Sequence, residues 1–167
     1  MAGSPIIKPH LPLALLALGL VLAPLPALAK PSVVISHAWI ALPPGGAPTA
    51  AGYLTVKNIG RAGEVFLGGA TPAAQRLELH SMTTVGGVMR MRPAASGVVI
   101  APGQTLTLTP GVGCHLMLIR PTHAFKAGER IPVSLAFAKA GALTKAEAVK
   151  TVFVVAAPAL APSMTMH

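Results

Sequence analysis

The sequence predicts a single all-β domain, an antiparallel β-sandwich or barrel, and three observations carry that prediction. Short runs of β-favouring residues recur along the chain, clusters of Gly, Pro and Asn separate them, and no long stretch shows the apolar period of a helix. At 167 residues the chain has the size of one domain. It is 53% hydrophobic and 10% charged, enough to bury a core, and unlike a charged disordered tail or a coiled coil built on Glu/Lys heptads.

Residues 1–29 read as an address that precedes the fold. A polar start with Lys8 and His10 leads into the apolar run Leu11 to Leu22, then Pro24, Pro26 and the small-residue site Ala27-Leu28-Ala29. That is the pattern of a cleavable secretory signal peptide. A membrane anchor needs about 20 uninterrupted apolar residues, and Pro24 and Pro26 cut this run short. No Cys follows the site, so the sequence offers no lipoprotein anchor. The expectation is an exported, basic domain over residues 30–156, with no membrane span after cleavage.

From there the elements follow in order. Val33 to Trp39 is a strand, followed by the loop Pro43-Pro44-Gly45-Gly46. Gly52 to Lys57 is closed by Asn58-Ile59-Gly60, and Glu64 to Leu67 by Gly68-Gly69, with one helical turn possible at Thr71 to Ala74. Gln75 to Met82 and Val88 to Arg92 flank a turn at Gly86-Gly87. Val98 to Ile100, Thr105 to Thr109 and Cys114 to Ile119 are separated by Pro102-Gly103 and Pro110-Gly111. Arg130 to Phe137 and Ala148 to Val155 complete the set, and the Pro/Ala-rich residues 157–167 read as a flexible tail.

Charge and cysteine content exclude several chemistries. Thirteen Lys and Arg face four carboxylates, Glu64, Glu78, Glu129 and Glu147, with no Asp, so hydrolysis by paired carboxylates has few parts to use. One Cys removes a disulfide framework, a CxxC motif and an all-cysteine zinc site. The cations are dispersed and stacking residues are few, which argues against nucleic acid as a partner. A positive surface of this kind steers docking toward acidic partners or anionic membranes, or simply maintains solubility.

Met and His fall on one strand parity. Residues i and i+2 share a face, so His80 pairs with Met82, Met89 with Met91, and His115 with Met117. A single Met is ordinarily a core gap-filler and a single strand His a solvated imidazole. Here four of the six Met that follow the initiator lie between Met82 and Met117, interleaved with His80 and His115. Thioether and imidazole suit Cu(I), whereas Mg, Ca and Mn want oxygen ligands. Outside the cytoplasm such a set also avoids a redox-labile thiolate. On the residues alone, a copper site and a packing role for the methionines both stay open.

The runs Glu78-Leu-His80-Ser-Met82, Gly87-Val-Met-Arg-Met91-Arg-Pro93 and Pro110-Gly111 leading into His115-Leu-Met117-Leu-Ile119 resemble the periplasmic copper chaperone family PCuAC. The resemblance extends through Ala38-Trp39, Ala51-Gly52-Tyr53-Leu54 with Asn58, and Gly128-Glu129, and covers residues 33 to 155. In that family a His is followed after ten residues by a Met, and after twenty-one more by His-x-Met. His80 and Met91 match the first spacing, whereas twenty-three residues separate Met91 from His115. Two additional residues in the loops around 94–97 and 111–113 would account for the difference, since loops tolerate insertion.

The resemblance implies a cupredoxin-like β-sandwich or barrel that binds one Cu(I) through His80, Met91, His115 and Met117. It further implies a monomeric, periplasmic copper chaperone, not an enzyme. Its copper would pass by ligand exchange to the CuA site of cytochrome c oxidase, alone or beside a Sco-type protein. Met82 and Met89 are then expected to pack around the site, and His37 and His123 to be solvated. Cys114 has the parity opposite to His115 and is expected to be a buried apolar residue, which opposes a blue-copper centre. The tail residues Met164, Met166 and His167 resemble extensions that bind a second copper. Two other readings remain: an electron-transfer cupredoxin, and a structural or adhesive β-sandwich.

Overall fold

A computed structural model describes residues 32–156. The signal peptide expected at 1–29, the first residues of the 30–156 domain and the tail expected at 157–167 lie wholly or partly outside them. Ten strands are present among the described residues. They are β1 (Val33–Ala41), β2 (Thr49–Asn58), β3 (Glu64–Ala70), β4 (Ala74–Val85), β5 (Val88–Pro93), β6 (Val98–Ile100), β7 (Thr105–Thr107), β8 (Cys114–Pro121), β9 (Arg130–Lys139) and β10 (Glu147–Ala156). Every strand expected from the sequence is there, most of them longer by one to three residues at an end.

The sheet runs β5-β4-β8-β2-β1-β10-β9-β3-β6, and a further pairing of β3 with β4 closes it into a barrel. That closing contact is narrow, with Gly69 opposite Leu77. β7 lies outside the sequential path and pairs with β2. One expectation is corrected: the sheet is not antiparallel throughout, because β1 and β10 run parallel, with Trp39 opposite Val154. These two strands come from opposite ends of the domain, and local turn chemistry says nothing about their relative direction.

Gly68 and Gly69 do not turn the chain but sit inside β3. The register with β9 slips between Phe66 and Gly68, and Gly68 takes a φ of 104° there, a left-handed backbone that favours glycine. The segment Thr71 to Ala74 is not helical either: Thr71 Oγ1 accepts the Ala73 amide at 3.2 Å and donates to the Pro132 carbonyl at 2.8 Å, making a hydroxyl-capped turn.

The period of two sets the core. Leu54 and Val56 of β2, Leu77 and Leu79 of β4, Leu116 and Leu118 of β8, Leu135 and Phe137 of β9, and Phe153 and Val155 of β10 are buried in one apolar cluster, while the residues between them face outward. Asn58 is fully buried among them. Its Nδ2 donates to the carbonyls of Ala62 and Ile100, both at 2.9 Å, and its Oδ1 accepts the Gly60 amide. A buried amide this well satisfied fixes the turn after β2. Glu64 is likewise buried, and Lys139 and the Ser32 amide both donate to its Oε1.

Gly69→Ala is expected to destabilise the barrel at its closing point. A Cβ there would lie 2.4 Å from the Ser134 carbonyl oxygen, and backbone cannot move aside cheaply, so a loss of about 1–3 kcal/mol is expected in urea unfolding. Gly45→Ala, where a Cβ meets nothing within 4 Å, is the control and should be nearly neutral.

Candidate metal-binding face

Three adjacent strands bring the His and Met pairs onto one outer face. β4 is long enough to pair with β8 on one side and β5 on the other. His80 sits directly opposite His115, and Glu78 opposite Met117. On the other side Met82 is opposite Met91, and His80 opposite Pro93. Directly opposed residues share a face, so His80, Met82, Met91, His115 and Met117 lie together on the side away from Leu77, Leu79, Leu116 and Leu118. The two imidazole rings are 5.8 Å apart between centroids, tilted by 57°.

Exposure rises steadily across this face. His115 on β8 is buried, at 3%, the His80 side chain is 13% exposed, and Met91 on the edge strand is 54% exposed. Ala51 of β2 pairs with Met117, so Tyr53, two residues on, joins the same face, and Trp39 stacks against it at 4.8 Å. This outer face thus carries buried aromatics on β1 and β2 and exposed thioethers on β5.

Hydrogen bonding separates the two imidazoles. His80 Nε2 lies 2.9 Å from Glu78 Oε2, and Arg76 Nε lies 3.3 Å from Glu78 Oε1. A carboxylate only accepts, so Nε2 carries the hydrogen, and in the neutral ring the free lone pair is on Nδ1. Such a carboxylate behind a ligating imidazole fixes tautomer and orientation. Glu78 was legible only as part of a motif; its alignment with His80 at i−2 was the available signal for this role. His115 Nδ1 is buried without a hydrogen-bond partner, which is costly unless something else satisfies it. Burial, followed by the neighbouring His80, lowers the pKa of His115 from the ordinary imidazole value of 6.5. The neutral form favoured there is the one that ligates a metal.

This shift has a consequence for the metal-free chain. Between 6.5 and the lowered value, the unfolded state binds the proton that the folded state refuses, so folded stability should be constant above 6.5 and decline as pH falls below it. Urea midpoints at pH 7.5 and 5.5 should differ in the wild type and differ less in His115→Gln. Equal differences in both would remove His115 as the cause.

The remaining candidates separate from this face. Cys114 lies opposite Ser81 with the inward parity. It is half-buried, not fully buried as expected, because it stands at the start of β8. Burial raises its thiol pKa, which disfavours a thiolate ligand. Cys114→Ala should leave any metal affinity unchanged while shifting the unfolding midpoint modestly. His37 is exposed and contacts Ser36 Oγ at 3.3 Å. His123 is exposed but not merely solvated: it pairs with Glu129 at 2.6 Å and packs edge-on against Phe125. Met164, Met166 and His167 lie outside the described residues. Among the described residues no three His, Cys, Asp or Glu side chains could hold a metal together, so a metal on this face requires thioethers.

Comparison with known proteins identifies the family and the fold. A family model described as "Putative lipoprotein LpqE-like" matches residues 33–149. The curated "Putative lipoprotein Lxx21020" of Leifsonia xyli subsp. xyli is 37% identical over 105 residues, which span 63% of this chain and 61% of that protein. The chain thus matches about three fifths of that relative's length. Among solved structures, a copper-bound PCuAC domain from PmoF2 superposes with a TM-score of 0.58 at 21% identity, covering 76% of this chain and 94% of that one. The solution structure of Cu(I)-bound DR1885 from Deinococcus radiodurans gives 0.54 at 27% identity, covering 78% and 81%. Its apo form gives 0.54 at 26%, covering 93% and 97%. With the expected all-β, cupredoxin-like architecture in place and the family model spanning most of the described residues, the chain belongs to the LpqE-like family and has the fold of PCuAC domains.

Proposed function

We propose that this protein is an exported Cu(I) carrier that takes copper as cargo on His80, Met91, His115 and Met117. The observation that carries this reading is the buried imidazole of His115, with an unpartnered nitrogen, set opposite His80 and bordered by thioethers on one face. The donor set fits the ion: neutral imidazoles and thioethers are the soft to borderline ligands Cu(I) prefers. The copper bound by the PmoF2 domain and the Cu(I) bound by DR1885 support the same choice.

The gradient of exposure suggests how cargo leaves. His115 and His80 hold from the protected side, Met117 borders them, and Met91 on the edge strand exchanges first with an incoming Cys, His or Met of the acceptor. Transfer is ligand substitution, and no bond of an organic substrate is made or broken. The signal-like residues 1–29 support a periplasmic location, and the resemblance to PCuAC proteins supports delivery toward the CuA centre of cytochrome c oxidase, directly or beside a Sco-type protein.

Anaerobic titration of the mature protein with Cu(I) against a chromogenic competitor tests the reading, with one tight ion per chain expected. Absence of stoichiometric binding would leave a structural β-barrel. Each imidazole must be deprotonated to ligate, so affinity should fall on acidification with a limiting slope of up to two protons, and nearer one in His80→Met. A flat profile would remove both histidines from the ligand set.

A further inference from the structure

The β4–β5 hairpin lies at the end of the sheet, and among the described residues its outer strand pairs with β4 on one side only. β5 ends the strand order, and all six of its residues are exposed. Val85 and Val88 close a two-residue turn at Gly86-Gly87, both with positive φ, the geometry of a tight hairpin. From that pair the hydrogen-bonding phase along the hairpin alternates. Val85 with Val88, Thr83 with Arg90 and Ser81 with Arg92 form the bonded pairs. Two observations fix this phase: the Met82 amide turns away from β5 to donate to Gly113, and the Ala94 amide donates to Leu79. The amides of Met89 and Met91 therefore point outward from the sheet edge, and the next residue in that phase is Pro93, which has no amide hydrogen.

We infer that β5 is a docking edge, onto which the copper acceptor adds an extended, carboxylate-bearing strand, hydrogen-bonded to the main chain of Met89 and Met91. The inference rests on the proposed function for the identity of the occupant. Strand addition at an open edge is a general mode of recognition, in which main-chain bonds supply affinity and side chains select. Here the two outward amides belong to the proposed ligand Met91 and to its neighbour at i−2. A strand seated on them places its own side chains beside the exposed thioether, where exchange must begin.

Charge selects the occupant. Arg90 and Arg92 are exposed on the hairpin, and neither has a carboxylate partner among the described residues. Cations on an edge strand discourage indiscriminate pairing, and a second copy of this chain would set Arg90 and Arg92 against the same positive charges. A strand with alternating Glu or Asp meets no such repulsion and is drawn in by the basic surface.

The test uses metal-free full-length mature protein, so its result does not depend on copper binding. The probe is a fluorescein-labelled nonapeptide of alternating Glu and Val, with a Lys-for-Glu counterpart, read by anisotropy. Met89→Leu keeps the outward amide and drops the thioether, whereas Met89→Pro removes the amide at a position where β4 does not use it. The acidic peptide is expected to bind the wild type and Met89→Leu alike, and Met89→Pro about tenfold more weakly or worse, the effect of one lost main-chain bond. Circular dichroism and a urea unfolding midpoint close to that of the wild type show that Met89→Pro is folded. NMR exchange should show the Met89 and Met91 amides gaining protection in the complex. No binding of the acidic peptide, equal binding of the Lys peptide, or full binding by Met89→Pro would each overturn the proposal. So would a wild-type dimer lost in Met89→Pro, which would make a second copy the occupant.

Discussion

Replacing Met91 by Leu, His115 by Ala or Met117 by Leu is expected to weaken Cu(I) binding by more than the roughly 10–100-fold typical of losing a group behind a ligand. Each change leaves three of four soft donors, and Leu in place of Met retains most of the apolar volume while removing the sulfur. His115→Ala should show the greatest loss, because it also vacates a buried position. Met82→Leu is the informative control, since Met82 faces Met91 across the hairpin and could be mistaken for it. Competition titrations on all four variants decide the matter. Wild-type affinity in the first three would end the assignment, and a larger loss at Met82 than at Met91 would mean that the other thioether is the ligand. Glu78→Gln should fall between, because an amide can still accept from His80 Nε2 but carries no charge.

Phe137→Ala is expected to be the most destabilising single core change, by about 3–5 kcal/mol, with a fall in Tm of roughly 10 °C or more. Phe137 is fully buried and stacks on Phe66 with centroids 5.0 Å apart. It also stands where β9 pairs with both β3 and β10, so the cavity left behind is framed by strands that cannot collapse separately. Against a typical total of about 5–15 kcal/mol, that is a large part of folded stability. Val152→Ala, on the outer face of β10 and 40% exposed, should stay within about 0.5 kcal/mol. Thermal and urea unfolding of the two variants side by side provide the comparison. A loss below 1 kcal/mol at Phe137 would mean that the barrel repacks around it.

Strand existence and facing were legible because both are local. β-branched and apolar runs punctuated by Gly, Pro and Asn mark strands, and a period of two assigns each residue to a face without reference to any partner. That is why His80 with Met82, Met89 with Met91, and His115 with Met117 could be paired from the sequence alone. The inward parity of Cys114 followed from the same rule. The strand ends were less legible: the Gly68-Gly69 pair resembles a turn by composition, and only its pairing with β9 makes it a bulge.

Which strands are neighbours depended on the whole chain. Nothing within β4, β5 or β8 says that β4 lies between the other two, nor that His80 stands opposite His115 and not one pair along. Register comes from burying Leu77, Leu79, Leu116 and Leu118 together, since a slip by one residue would turn the entire set outward. The parallel contact of β1 with β10 and the closure of β3 on β4 are likewise products of barrel geometry. The orphaned Nδ1 of His115, the carboxylate of Glu78 behind His80 and the open edge of β5 all follow from that arrangement. The sequence by itself determined the strands, their inner and outer residues, and a supply of soft donors on matching parity. The tertiary structure decided that those donors share one face of adjacent strands and how deeply each is buried, because burial and adjacency are set by long-range packing that no local pattern encodes.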